Sequence, residues 1–404
     1  MVAREGSPSR WNPGTIGLYC AAGIAAAVLA VYLFAWARKY GLDLRVYRDS
    51  ANTFVDGRNP YLSTFTKSRL AFTYPPFALT VLSILTWGSF AVAQWLMWAV
   101  SIALTTAAVV IVLVDRGHQR SALLWCGSFT WTCIAMLLFE PARSGLNYGQ
   151  IEFVLMFLVV ADTLLVPAPF RGVLIGIAAA IKLTPLIFIL IFLVRRDRWS
   201  AARVVLSFVA CTGLAWLLWP DLSRTYWLHD VALTGRVGRA AYGGNQSWYA
   251  ILHRPPFPAT GSGPMWVVLS IGTLLVGTFV AWRCVLTDRQ SFAVISIALV
   301  GLLVSPISWT HHWVWVLLLP PMLVGSRRDE TESFIRMMLW GIVILTTAAP
   351  YWWISTGWAG DVLQAILPIW TFATLVLWCG TEFVRWSRPT GNPGRTLVGQ
   401  VPVT

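Results

Sequence analysis

Apolar runs long enough to cross a bilayer recur along nearly the whole of this 404-residue chain, and few ionisable groups interrupt them. A soluble protein cannot bury that much apolar surface, so the solvent of most of the chain is lipid. Charged residues make up 12% of the sequence and hydrophobic residues 57%, whereas a soluble domain carries roughly 25% charge. An array of soluble domains, a disordered chain and a secreted disulfide scaffold are excluded. Lys and Arg number 30 against 17 Asp and Glu, a formal net charge of +13. In a soluble protein that excess would suggest nucleic acid; here it fits basic cytoplasmic loops beside anionic headgroups, and no nucleic-acid partner is expected. The six cysteines, Cys20, Cys126, Cys133, Cys211, Cys284 and Cys379, lie in or beside apolar stretches with no CxxC pair, and read as small buried hydrophobes.

The first apolar run, residues 15–36, follows a short basic N-terminus. It is too long for a cleaved signal peptide, so it reads as an uncleaved span whose preceding tail, 1–14, stays in the cytoplasm. Residues 37–90 then form a first extracytoplasmic loop. The apolar stretch that begins within it, after Tyr74-Pro75-Pro76, runs to Leu113 and can be cut in two ways. If both halves span, the basic DRGHQR (115–120) lies outside; if the first half is a short helix at the outer face, only 91–114 crosses and DRGHQR is cytoplasmic. The positive-inside rule favours the second cut. A span over 122–139, a short outer loop EPARSGLNYGQ and a returning span over 151–166 follow. Both ends of the next apolar segment carry Arg, so it is expected to enter and leave on one side as two half-helices broken around Lys182-Leu183-Thr184-Pro185. Such a break is tolerable at membrane depth only when shielded by protein or lining a polar cavity. A span near 204–219, a second large extracytoplasmic loop over 220–263, and spans near 264–284, 292–306, 313–324, 337–354 and 362–384 complete the reading. The result is an all-α polytopic membrane domain over 15–386, with about 12 helical passes, loop helices outside, and cytoplasmic tails 1–14 and 387–404.

An ionisable group inside such a chain costs about 2.5–3.5 kcal/mol on insertion scales, so each one needs a reason. The candidates are few: Asp43 and Asp49 after the first span; Glu140, Arg143, Asn147 and Gln150 in the short outer loop; Lys182 at the break; and His311-His312 in SPISWTHHWVW. Each has a plain structural alternative. Asp43 can cap the following helix, the histidines can anchor at the interface, Lys182 can snorkel, and Asn147 and Gln150 can tie helices together. Glu152 and Asp162 suggest structural pairing. HExxH, GxSxG and Walker motifs are absent from the sequence, which leaves protease, hydrolase and P-loop readings unsupported. One or two carboxylates facing cations and amides at a lipid-water boundary suit substitution at a carbon bearing an anionic leaving group. Glycosyl transfer from a lipid phosphate is the leading case: cations hold the phosphate, one carboxylate takes a proton from the attacking hydroxyl, and no metal cofactor is expected. A transporter or lipid flippase is the rival from another class.

DLRVYRDSANTFVDGRNPY, FTYPPF, GLNYGQIEF, AAAIKLTPL and SPISWTHHW, in that order and spacing, resemble the actinobacterial polyprenyl-phosphomannose-dependent mannosyltransferases of glycosyltransferase family 87. The resemblance implies a GT-C membrane fold and a polyprenyl-phosphate mannose donor. It also implies a phosphatidylinositol mannoside acceptor, the tetramannoside, extended by an α-1,2 linkage on the periplasmic face of the plasma membrane. Lipomannan or arabinan acceptors would need the same chemistry. The family's catalytic carboxylate maps onto Asp43, as general base on the acceptor 2-hydroxyl. Its outer-face histidine pair maps onto His311 and His312, with His312 favoured for substrate contact. Lys182, Gln150 and Asn147 fall in polar family motifs; Arg45 and Tyr74, in the first two motifs, are further candidates for substrate binding. GQIE stands where relatives often read GQxN, which leaves a carboxylate, Glu152, in place of an amide.

Overall fold

The computed structural model describes residues 13–37, 41–255, 257, 262–324, 333–354 and 356–387. Helix α1, Pro13–Ala37, is 25 residues long, enough for about 37 Å. Gly41 then turns the chain in the left-handed region (φ 100°) and starts α2, Leu42–Val55. This helix buries Leu44, Val46, Tyr47, Ser50, Ala51 and Thr53 on one side and leaves Arg45 exposed on the other. It is an amphipathic surface helix and not a span. A two-residue hairpin pairs Thr64–Phe65 with Leu70–Ala71, and Pro75-Pro76 opens α3, Pro76–Leu82, proline suiting a helix's first position. After a 3-10 turn, Ser83–Thr86, the side chain of Ser89 caps α4, Phe90–Asp115. The disputed apolar stretch is therefore one short helix and one helix of 26 residues. Eleven residues over Pro76–Thr86 reach only about 16–22 Å, short of the ~30 Å of hydrocarbon.

Helix α5, Ala122–Leu138, bends by 83° into α6, Glu140–Tyr148. Pro141 cannot continue the hydrogen-bond ladder of α5, and Phe139 is extended. The expected outer loop EPARSGLNYGQ is thus largely helix. Next come α7, Glu152–Leu164, and α8, Val173–Ile181, whose first turn is capped by Asp162 through the N–H groups of Gly172 (2.7 Å) and Ile175 (2.8 Å). The break falls where the sequence places it. Lys182 is extended (φ −148°, ψ 131°), Pro185 has no N–H for the carbonyl of Ile181, and the chain resumes as a 3-10 segment, Thr184–Phe188, and α9, Ile189–Val194. Arg195 donates to the carbonyl of Thr163 (3.0 Å) and Arg203 to that of Arg171 (2.9 Å), so both ends of this hairpin lie at one end of the molecule. The remaining helices are α10 Arg198–Leu218, α11 Pro220–Arg224, α12 Trp248–Leu252, α13 Ser262–Leu286, α14 Gln290–Val304, α15 Leu319–Val324, α16 Ser333–Ala348 and α17 Gly357–Ser387. The described part of the loop over 220–263 contains α11, a π-helical turn Thr225–Asp230 and α12.

Among the described residues, six helices are long and apolar enough to cross a membrane, or seven counting the bent pair α5–α6. The chain is thus a polytopic, mostly helical membrane protein, but its other passes are shorter helices than the sequence suggests. The reason is burial inside protein: α14 has 15 residues and nearly all from Ser291 to Leu303 are buried, so its apolar character answers to neighbouring helices as much as to lipid. The tails 1–12 and 388–404 and the basic stretch 325–332 lie outside the described residues. Two apolar cores result. One fills the bundle; the second joins α2, Tyr61, Phe72, Tyr74, α3 and the start of α4 to Ile151, Leu155 and Ile181. Five of the predicted polar residues, Asp43, Tyr74, Gln150, Lys182 and His312, gather where the two cores meet.

Candidate active site

Asp43 sits in the first turn of α2, and what α2 rests on decides its surroundings. The N–H of Gly41 donates to the carbonyl of Asn147 (2.6 Å), pinning the start of α2 to the end of α6. That end is closed by Gly149 in the left-handed region (φ 74°). A Cβ there would lie 2.6 Å from the Cβ of Leu44, so only glycine lets the two segments touch. The next residue, Gln150, is thereby delivered against α2, and its amide nitrogen donates to Oδ2 of Asp43. Burial raises the Asp43 pKa to about 6; the Gln150 hydrogen bond and the Lys182 charge pull it down, while the Glu152 charge adds to the rise. A carboxyl poised there is ionised at neutral pH yet basic enough to accept a proton.

From Gln150 the contacts continue. The Tyr47 hydroxyl donates to Oε1 of Gln150 (2.8 Å) and lies 2.7 Å from the Tyr74 hydroxyl, which accepts from Nζ of Lys182 (3.3 Å). Lys182, freed from helical geometry by the break, forms an ion pair with Glu152. Nε2 of His312 is 3.2 Å from both Lys182 and Glu152. Asp43, Gln150, Tyr74, Lys182 and His312 are thus brought together, joined by Tyr47 and Glu152, which the sequence reading did not place in the site. The only sequence signal for Tyr47 is its spacing: four residues after Asp43, it shares that face of α2.

Three predicted residues stand elsewhere. Asn147 ties helices together, its side chain accepting from Tyr32 (3.2 Å). Arg45 lies over the Phe90 ring, 4.1 Å from its centroid, on the exposed side of α2. His311 is buried edge-on against Tyr148 and His312, and its Nε2 has no hydrogen-bond partner among the described residues. The pair is held by the segment before it. Asn245 accepts from the N–H of Ser308 (2.8 Å) and donates to the carbonyl of Pro306 (3.0 Å), and the Thr310 N–H reaches the carbonyl of Gly244 (2.9 Å). Glu140 is structural too. It accepts from Ser144 (2.5 Å), Thr310 (2.9 Å), Tyr351 (3.0 Å) and Trp352 (3.2 Å), locking the α5–α6 elbow to the turn that carries the histidines.

A narrow cleft lies beside Glu152 and His312, walled by Leu155, Met156, Phe188, Leu302 and Trp315 among others. Its lining also includes the polar residues Glu152, Thr184, Ser305, Ser308 and His312. Among the described residues, no three His, Cys, Asp or Glu side chains gather as a set able to hold a metal ion. A carboxylate held by an amide, a cation and an imidazole one step from it, and a cleft lined by polar and apolar side chains within a helical membrane bundle make up the candidate site of a membrane enzyme. Glycosyltransferase family 87 matches residues 72–306. A polyprenol-phosphate-mannose-dependent alpha-(1-2)-phosphatidylinositol mannoside mannosyltransferase of Mycobacterium tuberculosis is 34% identical over 352 residues, 81% of this chain and 80% of that protein. Its namesake from Mycolicibacterium smegmatis is 34% identical over 310 residues, 70% of this chain and 69% of the relative. A Mycolicibacterium smegmatis protein named for phosphatidylinositol pentamannoside is 33% identical over 326 residues, 78% of this chain and 76% of its own. No solved structure matches. The chain belongs to glycosyltransferase family 87 and is a membrane glycosyltransferase. The segment matched by the family holds Tyr74, Gln150, Glu152 and Lys182; Asp43 and His312 lie outside it.

Proposed function

We propose that the protein is an inverting mannosyltransferase of GT-C type. It moves mannose from polyprenyl-phosphate mannose to the 2-hydroxyl of a phosphatidylinositol mannoside, at the periplasmic face of the plasma membrane. The acceptor is the tetramannoside and the product the pentamannoside. Asp43 takes the proton from the acceptor hydroxyl, and the oxygen attacks the anomeric carbon of the β-linked donor. The bond from that carbon to the phosphate oxygen breaks, and polyprenyl phosphate leaves with the electron pair. The proton rests on Asp43 and the new linkage is α. Lys182 takes up the phosphate charge, the His312 imidazole donates a hydrogen bond to it, and the cleft beside them accommodates the first isoprene units. The observation carrying this reading is the placement of Asp43: a carboxylate held by the neutral amide of Gln150, with the Lys182 cation and the His312 imidazole one step away around Glu152.

A phosphate leaving group that side-chain cations can hold needs no divalent ion, so transfer is expected to be metal-independent. Purified protein is incubated with polyprenyl-phosphate mannose and a panel of phosphatidylinositol mannosides, with and without EDTA. Formation of pentamannoside from tetramannoside, undiminished by chelation, is the expected result. A strict requirement for Mg²⁺ or Mn²⁺, or mannose left on the carrier while lipid crosses the bilayer, would overturn the reading. Conversion of pentamannoside instead of tetramannoside would move the step along by one sugar.

A further inference from the structure

The contacts between Asp43 and Lys182 have a fixed direction. Lys182 is an ammonium and can only donate, so the Tyr74 oxygen accepts from it at 3.3 Å. At the other end an ionised Asp43 can only accept, which turns the nitrogen of Gln150 toward it and the oxygen away. That oxygen then needs a donor, and the Tyr47 hydroxyl supplies it at 2.8 Å. With the Tyr47 proton so used, the 2.7 Å contact between the two hydroxyls is filled by the proton of Tyr74. Every link has one orientation, consistent from cation to carboxylate. The reversed Gln150 amide would set its carbonyl against the carboxylate and its NH2 group against a hydroxyl already engaged. Gln150, Tyr47 and Tyr74 are buried, so water is poorly placed to substitute for a missing partner.

We propose that Tyr47 and Tyr74 are positioning residues for the transfer reaction: they lock the amide of Gln150 with its NH2 group toward Asp43, and so keep that carboxylate ionised and aimed. The proposal rests on the reading of Asp43 as the base. Tyr47 suits the task because it lies one helical turn after Asp43, so the single side chain of Gln150 spans both residues on one face of α2. The charged and titratable groups around Asp43 are Lys182 and Glu152 from the broken-helix side, His312 behind them, and Tyr47 and Tyr74 within the chain of contacts. The hydroxyl of Tyr47 bonds Gln150 and Tyr74 and not Lys182 or His312 directly, so donor binding and base orientation become separable.

The test is Tyr47→Phe in the full-length enzyme, with initial rates of mannosyl transfer followed across roughly pH 5 to 8. Removing the hydroxyl strands the oxygen of Gln150 and lets its amide turn. The expected result is a rate loss of roughly 5- to 30-fold at neutral pH, an acidic limb moved to higher pH by about half a unit, and an unchanged KM for the donor. A rate within twofold of the parent, or a loss equal at every pH, would overturn the proposal. If Tyr47→Phe does not accumulate in membranes, Gln150→Glu carries the test, since a carboxylate of nearly the same size beside Asp43 must move the acidic limb to higher pH; an unmoved limb there sinks the idea as well. Asp43→Asn runs alongside. Activity retained in that variant defeats the base assignment, whereas loss in Asp43→Asn with a normal pH profile in Tyr47→Phe defeats the positioning role alone.

Discussion

At the end of the bundle where α4 finishes and α14 begins, carboxylates face cations or fixed donors, and two of them, Asp162 and Glu382, are buried. Glu382 meets Arg289 at 2.5 Å, Arg385 at 3.3 Å and Arg283 at 3.9 Å. Asp115 accepts from the hydroxyl and N–H of Ser291, and Asp162 and Asp197 each cap a helix. At the end where α2 rests on α6, the same ingredients are apportioned differently. Lys182 is matched by Glu152, and Asp43 faces a neutral amide. The first arrangement satisfies charge so that helices stay together; the second leaves a carboxylate without a strong ionic partner, with a cleft lined by Glu152 and His312 nearby. Buried charge alone therefore does not mark an active site in this molecule. What distinguishes the proposed site is a carboxylate whose partners hold it without neutralising it.

Replacing Asp43 should break the comparison at the catalytic end. Asp43→Asn keeps the volume and removes the base, and transfer is expected to fall by about 10²- to 10⁴-fold while insertion and yield stay normal. In the parent enzyme kcat/KM should fall as pH drops through about 6, the value to which burial lifts Asp43, because only the ionised form accepts the proton. Above that it should level off. Activity of Asp43→Asn close to the parent's, or a rate that rises on acidification, would refute the assignment. The mirror experiment is Glu382→Gln. It leaves Arg289, which is buried, and its neighbours without their shared counter-charge, at a cost of about 3 kcal/mol or more. The Tm in detergent should drop clearly while kcat of the surviving folded enzyme is preserved. A loss of kcat with unchanged Tm would mean that the two ends are not divided as described.

How much of this the sequence discloses depends on range. The break at Lys182 is local, set by Lys-Leu-Thr-Pro, and it is found where expected. The start of α3 at Tyr-Pro-Pro is local too. The 83° turn between α5 and α6 is hidden because EPARSGLNYGQ is polar enough to resemble a loop, and its Glu140, a candidate site residue in the sequence, is shown to be structural only by the convergence of Thr310, Tyr351 and Trp352 on it. Tyr47 and Glu152 are hidden for another reason. Their partners lie 103 residues away at Gln150 and 30 and 160 away at Lys182 and His312, and no periodicity reports pairings of that range. Helix count is limited by physics as well, since hydropathy cannot distinguish a side chain dissolved in lipid from one dissolved in protein. Helix α10 is 17% buried over its most apolar window whereas α4 reaches 50%, yet both read as spans.

The smallest expected effect concerns α14, which joins the two ends. Its first turn is fixed at the paired end by Asp115 and Arg195, through Ser291 and Gln290, and its last turns line the cleft with Ala298, Gly301 and Leu302. Gly301 faces Ile187 across that space; a Cβ added there would lie 3.3 Å from Cγ2 of Ile187. Leucine at this position must displace Ile187 or extend into the cleft, and each CH2 of a bound chain it excludes forfeits about 0.8 kcal/mol. Gly301→Leu should therefore raise KM for a long-chain polyprenyl-phosphate mannose by about 3- to 10-fold, and leave a short-chain donor such as the C10 analogue unchanged. The paired end is untouched, so Tm should hold or rise slightly as the gap fills. Equal KM values for both donors, with a raised Tm, would mean that the cleft is a packing gap and that the isoprenoid runs elsewhere. The contrast between a closed end and an open one would then rest on Asp43 and its amide alone.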